Sequence, residues 1–180
     1  MILICPGVHE QQLTTCFLAG MVEAGMKQLL PAELLIFPTE QFPAYSAIDI
    51  FKFLEKNVQK ADPVTFISFS AGVVGSIGVA WSWQQIGGTI KAFIALDGWG
   101  VPLGGNFPIY RVSHDRFTHW SSELFGGGTE SFYADPPVDH LELWRSPHTT
   151  KGWWIHPTST GLKTTTPTTA AFFILEILKR

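Results

Sequence analysis

At 180 residues, 46% of them hydrophobic, the chain suffices for one well-buried domain and is short for two. A net charge of −3 without any basic run excludes the electrostatic footprint of a nucleic-acid or anionic-membrane binder. No apolar stretch reaches transmembrane length, and Met1 leads into Ile2-Leu3-Ile4-Cys5 with no cationic start or cleavage pattern, so a cytoplasmic setting is expected.

Met1 to Cys5 reads as a buried strand, and Pro6-Gly7-Val8-His9-Glu10 as the loop after it. From about Gln11 to Ala24, the residues Leu13, Phe17, Gly20, Met21 and Ala24 recur at helical spacing and form one apolar face. Leu30-Pro31 ends that unit, and Glu33 to Phe37 is the next strand. Ser46 caps a helix whose apolar face is Ala47, Phe51, Leu54 and Val58. Pro63 to Ile67, short and rich in β-branched and aromatic residues, is a further buried strand. Ala71 to about Gln85 is small, apolar and free of proline, a packed helix closed by Gly87-Gly88. Lys91 to Leu96 is another apolar strand, ending at Asp97-Gly98.

Apolar strands alternating with helices predict a parallel sheet covered on both faces. The expected fold class is α/β: one three-layer domain over residues 1–180, its mostly parallel sheet of about six strands flanked by helices. Ligand sites in such sheets lie beyond the carboxyl ends of the strands.

The second half is less regular. Phe107 to Val112 reads as a strand leading into Ser113-His114-Asp115, and Trp120 to Phe125 as a short helix stopped by Gly126-Gly127-Gly128. Ser131 to Ala134 is a strand, which Leu141 to Arg145 extends or follows with a helix. After a polar, threonine-rich segment, Thr166 caps and Pro167 opens a final helix that is apolar nearly all round. The two cysteines, Cys5 and Cys16, are expected to be free thiols.

Ser68-Phe69-Ser70-Ala71-Gly72 falls on the turn between a strand and a helix, the setting of a nucleophile elbow. The turn presses two backbones together, so positions 68 and 72 need small residues, and serine and glycine stand there. The plainer alternative is a serine that caps the helix. A nucleophilic serine needs a base, and the base needs a group to orient it. In this architecture both come later, as an acid and then a histidine, each past the end of a strand. Asp115 and His140 hold those places, with Asp97 as rival acid and His148 as rival base. Asp135, beside Pro136 and Pro137, reads as a turn residue, and His156 as exposed.

Together these motifs resemble the α/β-hydrolase superfamily, above all its minimal members, the small lid-less bacterial lipases and esterases. Ile2 to Val8 resembles their first strand and oxyanion loop, and Ser68 to Gly72 their elbow. Tyr110 to Asp115 resembles the turn bearing their acid, and Val138 to Leu143 their histidine segment. Two departures are Pro6-Gly7, where the family usually opens its loop His-Gly, and Ser68, where glycine or alanine is common.

The resemblance implies a serine hydrolase that cleaves a carboxylic ester or thioester through an acyl-enzyme. Ser70 would attack, His140 would take its proton and Asp115 would orient the histidine. Backbone N–H groups of Val8 and Ala71 would form the oxyanion hole. His9, Trp99 and Trp120 are pocket candidates in loops near the site. The expected partner is a small-molecule ester or thioester, with no nucleic acid and no stable membrane insertion. Two alternatives stay open: a binding protein that kept the hydrolase fold, and an acyltransferase using the same triad.

No cofactor and no metal are expected. His114, Asp115 and His119 match no zinc spacing, and Gly98-Trp99-Gly100 lacks the third glycine of a dinucleotide turn.

Overall fold

The computed structural model describes residues 1–26, 34–126, 128–157 and 162–180. Along the chain it runs β1 (Ile2–Cys5), α1 (Gln11–Glu23), β2 (Leu34–Ile36), α2 (Ala47–Asn57), β3 (Val64–Phe69), α3 (Ala71–Gln85) and β4 (Ile90–Leu96). There follow β5 (Ile109–Ser113), α4 (Arg116–Glu123), β6 (Glu130–Ala134), α5 (His140–Arg145), β7 (Lys151–Pro157), β8 (Lys163–Thr169) and α6 (Ala170–Leu178). The architecture is α/β, with one 8-stranded sheet in the order β2-β1-β3-β4-β5-β6-β7-β8. Strands β1 to β6 pair in parallel, and β7 and β8 are added antiparallel.

The alternation of side chains along a strand divides the core in two. On one face Ile4, Ile67, Phe69 and Ile94 pack with Phe17 of α1, Trp144 of α5 and Phe173 of α6. On the other, Leu3, Phe66 and Phe93 pack with Leu54 of α2 and Trp83 of α3. Strands β1 and β3 are buried along their whole length, as covering on both faces requires. Ser46 caps α2 by accepting the Asp49 N–H, as its position before the apolar run implied.

The expectation of about six strands is corrected to eight among the described residues. The tryptophan-bearing stretch Lys151–Pro157 supplies β7 and the threonine-rich one β8, with Thr166 paired to Trp154 and Pro167 to Trp153. Threonine suits a pleated, half-exposed surface, and proline is tolerated on an edge strand. The final helix therefore starts at Ala170, capped by Thr169, whose hydroxyl accepts the Phe172 N–H. Leu141 to Arg145 is helical, and α4 begins at Arg116 rather than near Trp120. The Leu30-Pro31 boundary and Gly127 lie outside the described residues. Among the described residues no helix is long and apolar enough to cross a membrane, and both cysteines are free thiols.

Candidate active site

Strand β3 ends at Phe69, and Ser70 turns the chain into α3 with φ 51° and ψ −120°. Its N–H donates to the Leu96 carbonyl at 2.9 Å, which ties the turn to β4. The closeness of the backbones explains the small flanking residues. A Cβ on Gly72 would lie 2.1 Å from the Cys5 carbonyl oxygen and 2.6 Å from that of Pro6. A Cβ on Gly7 would lie 3.0 Å from the Ser70 Cβ, so the loop after β1 sits directly against the serine.

Ser68, buried on the other side of the turn, has its hydroxyl 2.7 Å from that of Ser76. Ser76 in turn donates to the Gly72 carbonyl at 2.7 Å, so the hydroxyl that replaces the usual glycine or alanine is satisfied within the elbow. Burial pushes the Cys5 thiol up to about 12 despite hydrogen bonds from Ser68 and Ser76, which makes it a packing group rather than a nucleophile.

The Ser70 side chain does not cap α3, although the residue occupies the N-cap position. That removes the plain helix-cap account of this serine. Ala71 is the first residue of α3, and its N–H belongs to the set that has no partner within the helix. Val8, in the loop packed on Ser70, is 74% exposed.

Asp97 follows the last residue of β4 and is buried. Its Oδ1 accepts the His114 backbone N–H at 2.9 Å. Its Oδ2 accepts from His114 Nδ1 and from His140 Nδ1, each at 2.8 Å. The hydrogen bond to Asp97 raises the His114 pKa above its ordinary value, against the opposing effect of burial. His140 opens α5, and its ring stacks on Phe69 at 4.7 Å and 23°. Phe69 stacks in turn on Trp144 at 4.9 Å. The ring is thus held on one side by the residue before Ser70 and at Nδ1 by Asp97, leaving Nε2 as its second nitrogen.

Asp115, expected to orient the histidine, has a different task. Its carboxylate accepts the Thr118 N–H at 2.6 Å and caps α4. Burial raises its pKa, but the bonds from Thr118 and the charge of His114 outweigh that and hold it below the ordinary carboxylate value. The carboxylate that meets His140 is Asp97. The reason lies in sheet order: β4 neighbours β3, so the end of β4 is beside Ser70, whereas β5 is one strand further away.

Ser70, Asp97, His114 and His140 line one cavity of about 360 Å³, with Val74 and Trp99 on its apolar side. No hydrogen bond links the Ser70 hydroxyl to either histidine among the described residues. Part of the wall, Val101, is anchored by the buried Arg111. Its guanidinium donates to the carbonyls of Val101, Phe125 and Gly126, and burial lowers its pKa to about 10. A larger and shallower hollow of about 650 Å³ beside Trp153 and Phe172 contains none of these groups.

Of the pocket candidates, Trp99 lines this cavity and the other two do not. His9 packs near Phe69 and Trp144, at 5.7 and 6.2 Å, outside the cavity wall. Trp120 is 60% exposed on α4, beside Phe117. Of the rival histidines, His148 lies against Gly20 and 3.5 Å from Glu23, and His156 stacks on Trp154. Neither reaches the cavity.

Two imidazole nitrogens and one carboxylate oxygen, from His114, His140 and Asp97, lie within 4.8 Å of one another. That donor set suits a divalent cation, although the 2.8 Å separations are those of hydrogen bonds. His114 was weighed in the sequence only with Asp115 and His119, and its grouping with Asp97 and His140 was not foreseen. Its signal is its place just past β5, the position from which this sheet turns polar groups toward a site. A comparison with protein-family models gives no match, and one with curated proteins gives none.

Proposed function

We propose that the protein is a serine hydrolase of the α/β-hydrolase type, cleaving a carboxylic ester or thioester through an acyl-enzyme on Ser70. The observation that carries this reading is the strained backbone of Ser70, whose hydroxyl has no capping role and which lines one cavity with His140.

The Ser70 oxygen attacks the substrate carbonyl while its proton passes to His140 Nε2. Asp97 keeps the other histidine proton on Nδ1 and stabilises the imidazolium that forms. The backbone N–H groups of Ala71 and Val8 receive the charge that develops on the carbonyl oxygen. Collapse of the intermediate returns the His140 proton to the departing alcohol or thiol. Water then repeats the sequence, frees the acid and restores the serine. A separation between Ser70 and His140 in the resting protein is compatible with this chemistry, because catalytic hydrogen bonds often tighten only when substrate is bound.

A fluorophosphonate probe tests the reading, since it marks a serine that a base and an oxyanion hole have activated. Intact-mass measurement is expected to show one adduct on the wild type and none on Ser70→Ala or His140→Ala. An unreacted wild type would overturn the proposal in favour of a binding protein that kept this architecture.

A further inference from the structure

We infer that Asp97, His114 and His140 form an inhibitory zinc site, in which a bound Zn²⁺ and ester hydrolysis exclude each other. The triad of the proposed reaction uses Asp97 and His140 and leaves His114 without a part. Yet His114 presents Nδ1 to the same Asp97 oxygen as His140 does, at the same 2.8 Å. All three ligand atoms lie within 4.8 Å of one another beside an open cavity that admits the ion and a water ligand. Zinc holds imidazole nitrogen and carboxylate oxygen at about 2.0–2.2 Å, which sets tetrahedral ligands roughly 3.4 Å apart. The 2.8 Å pairs need to open by only about half an ångström to reach that spacing.

Two of the three side chains, His114 and Asp97, have polar groups behind them of the kind that support a zinc ligand. A coordinating histidine usually gives its other ring N–H to a carboxylate. His114 Nε2 lies 3.6 Å from the Asp115 carboxylate, itself fixed by its cap on α4. The Asp97 carboxylate is fixed in the same way, its Oδ1 held by the His114 backbone N–H at 2.9 Å.

The exclusion follows from tautomers. In the hydrolytic arrangement His140 carries its proton on Nδ1, and Nε2 is free to accept one from Ser70. When Nδ1 coordinates zinc, the neutral ring keeps its proton on Nε2 and cannot act as a base. Zinc therefore switches the serine off without touching it, and a chelator restores it.

Metal-free protein titrated with Zn²⁺ by calorimetry, and with Co²⁺ by visible absorption, tests the site without reference to activity. One ion per chain is expected, with the d–d bands of a four- or five-coordinate nitrogen and oxygen site. Ser70→Ala should bind as the wild type does. Asp115→Asn keeps a side chain able to cap α4 and should weaken zinc by about tenfold. His114→Ala and His114→Gln, each checked by circular dichroism for an intact fold, should weaken it further. On an ester substrate, zinc should inhibit with the midpoint that calorimetry gives, and EDTA should reverse it. The inference is overturned if no zinc binds up to about 0.1 mM. It is equally overturned if a folded His114 variant binds as tightly as the wild type. A protein that binds zinc through His114 but never reacts with the fluorophosphonate would retain the site and lose the hydrolase reading, so the two failures are distinct.

Discussion

Ser70 and Asp97 stand directly beyond a matched pair, Phe69 on β3 and Leu96 on β4, and both have positive φ, 51° and 49°. They are the non-glycine residues with that property among the described residues. Such backbones cost on the order of 1–3 kcal/mol each for an L-residue, and they persist only where the surroundings enforce them. Here the enforcement is visible: the Ser70 N–H is bonded to the Leu96 carbonyl, and the Asp97 N–H to the Val112 carbonyl at 2.8 Å. Adjacent strand ends thus carry the nucleophile and the acid of the proposed reaction.

The strain at Ser70 can be read by removing the hydroxyl in two ways. Ser70→Ala keeps the unfavourable φ and Ser70→Gly relieves it, at the cost of a looser unfolded chain. The glycine variant should be about 1 kcal/mol more stable than the alanine variant in urea denaturation. Equal midpoints would show that the elbow is not strained in solution.

Exchanging each of two aspartates for asparagine separates their roles. Asp97→Asn should lower kcat by about 10⁴-fold, the loss seen when the acid of a serine-protease triad is changed this way. Asp115→Asn keeps a capping side chain on α4 and should leave metal-free activity within a few-fold. The reverse ranking on a nitrophenyl ester would return the acid's role to Asp115.

The apolar side of the cavity, Val74, Trp99 and Val101, should register acyl length. Two further methylenes, from acetate to butyrate, are worth roughly 1.6 kcal/mol if buried, or about 15-fold in kcat/KM. Trp99→Ala should lose most of that gain while acetate hydrolysis changes little. A gain that survives the substitution would place the acyl chain elsewhere.

Glu130 makes a pH prediction away from the site. Burial raises its pKa, but hydrogen bonds from Arg180 and Trp154 outweigh that and leave it lowered. A carboxylate with a lowered folded-state pKa contributes stability above its unfolded value, and that contribution disappears as pH falls through the folded one. Glu130→Gln should therefore cost about 1–2 kcal/mol at pH 7. The difference from wild type should close on acidification below the ordinary glutamate range, followed by urea midpoints across pH. A gap that stays constant down to pH 3 would mean that the charge on Glu130 contributes nothing.

The alternating half of the fold was legible because its strands are apolar and its helices periodic, and local pattern suffices for both. The hairpin arms β7 and β8 were not, since Lys163 to Thr169 is polar and exposed and carries Pro167, features that a strand tolerates only at an edge. The choice between Asp97 and Asp115 depended on which strand neighbours β3, a property of sheet order that no local pattern encodes. Asp115 did carry a readable cue, since aspartate is a preferred N-cap and it stands just before α4. His114 was considered as a metal ligand with Asp115 and His119 and set aside because that spacing fits no zinc motif. Its role rests on the reach of its ring back to the neighbouring strand end.

At the far edge of the sheet, β8 pairs with β7 on one side and, among the described residues, with no strand on the other. An open strand is normally a template on which another molecule's backbone can add. Here Pro167 has no amide hydrogen to offer, the neighbouring threonines are hydrophilic, and Lys163 places a charge at the strand's start. Growth of the sheet from this edge would meet a residue without an N–H at Pro167 and would desolvate the Lys163–Glu123 ion pair. The segment that least resembled a strand in the sequence is, for that same reason, a barrier to ordered aggregation of the folded protein.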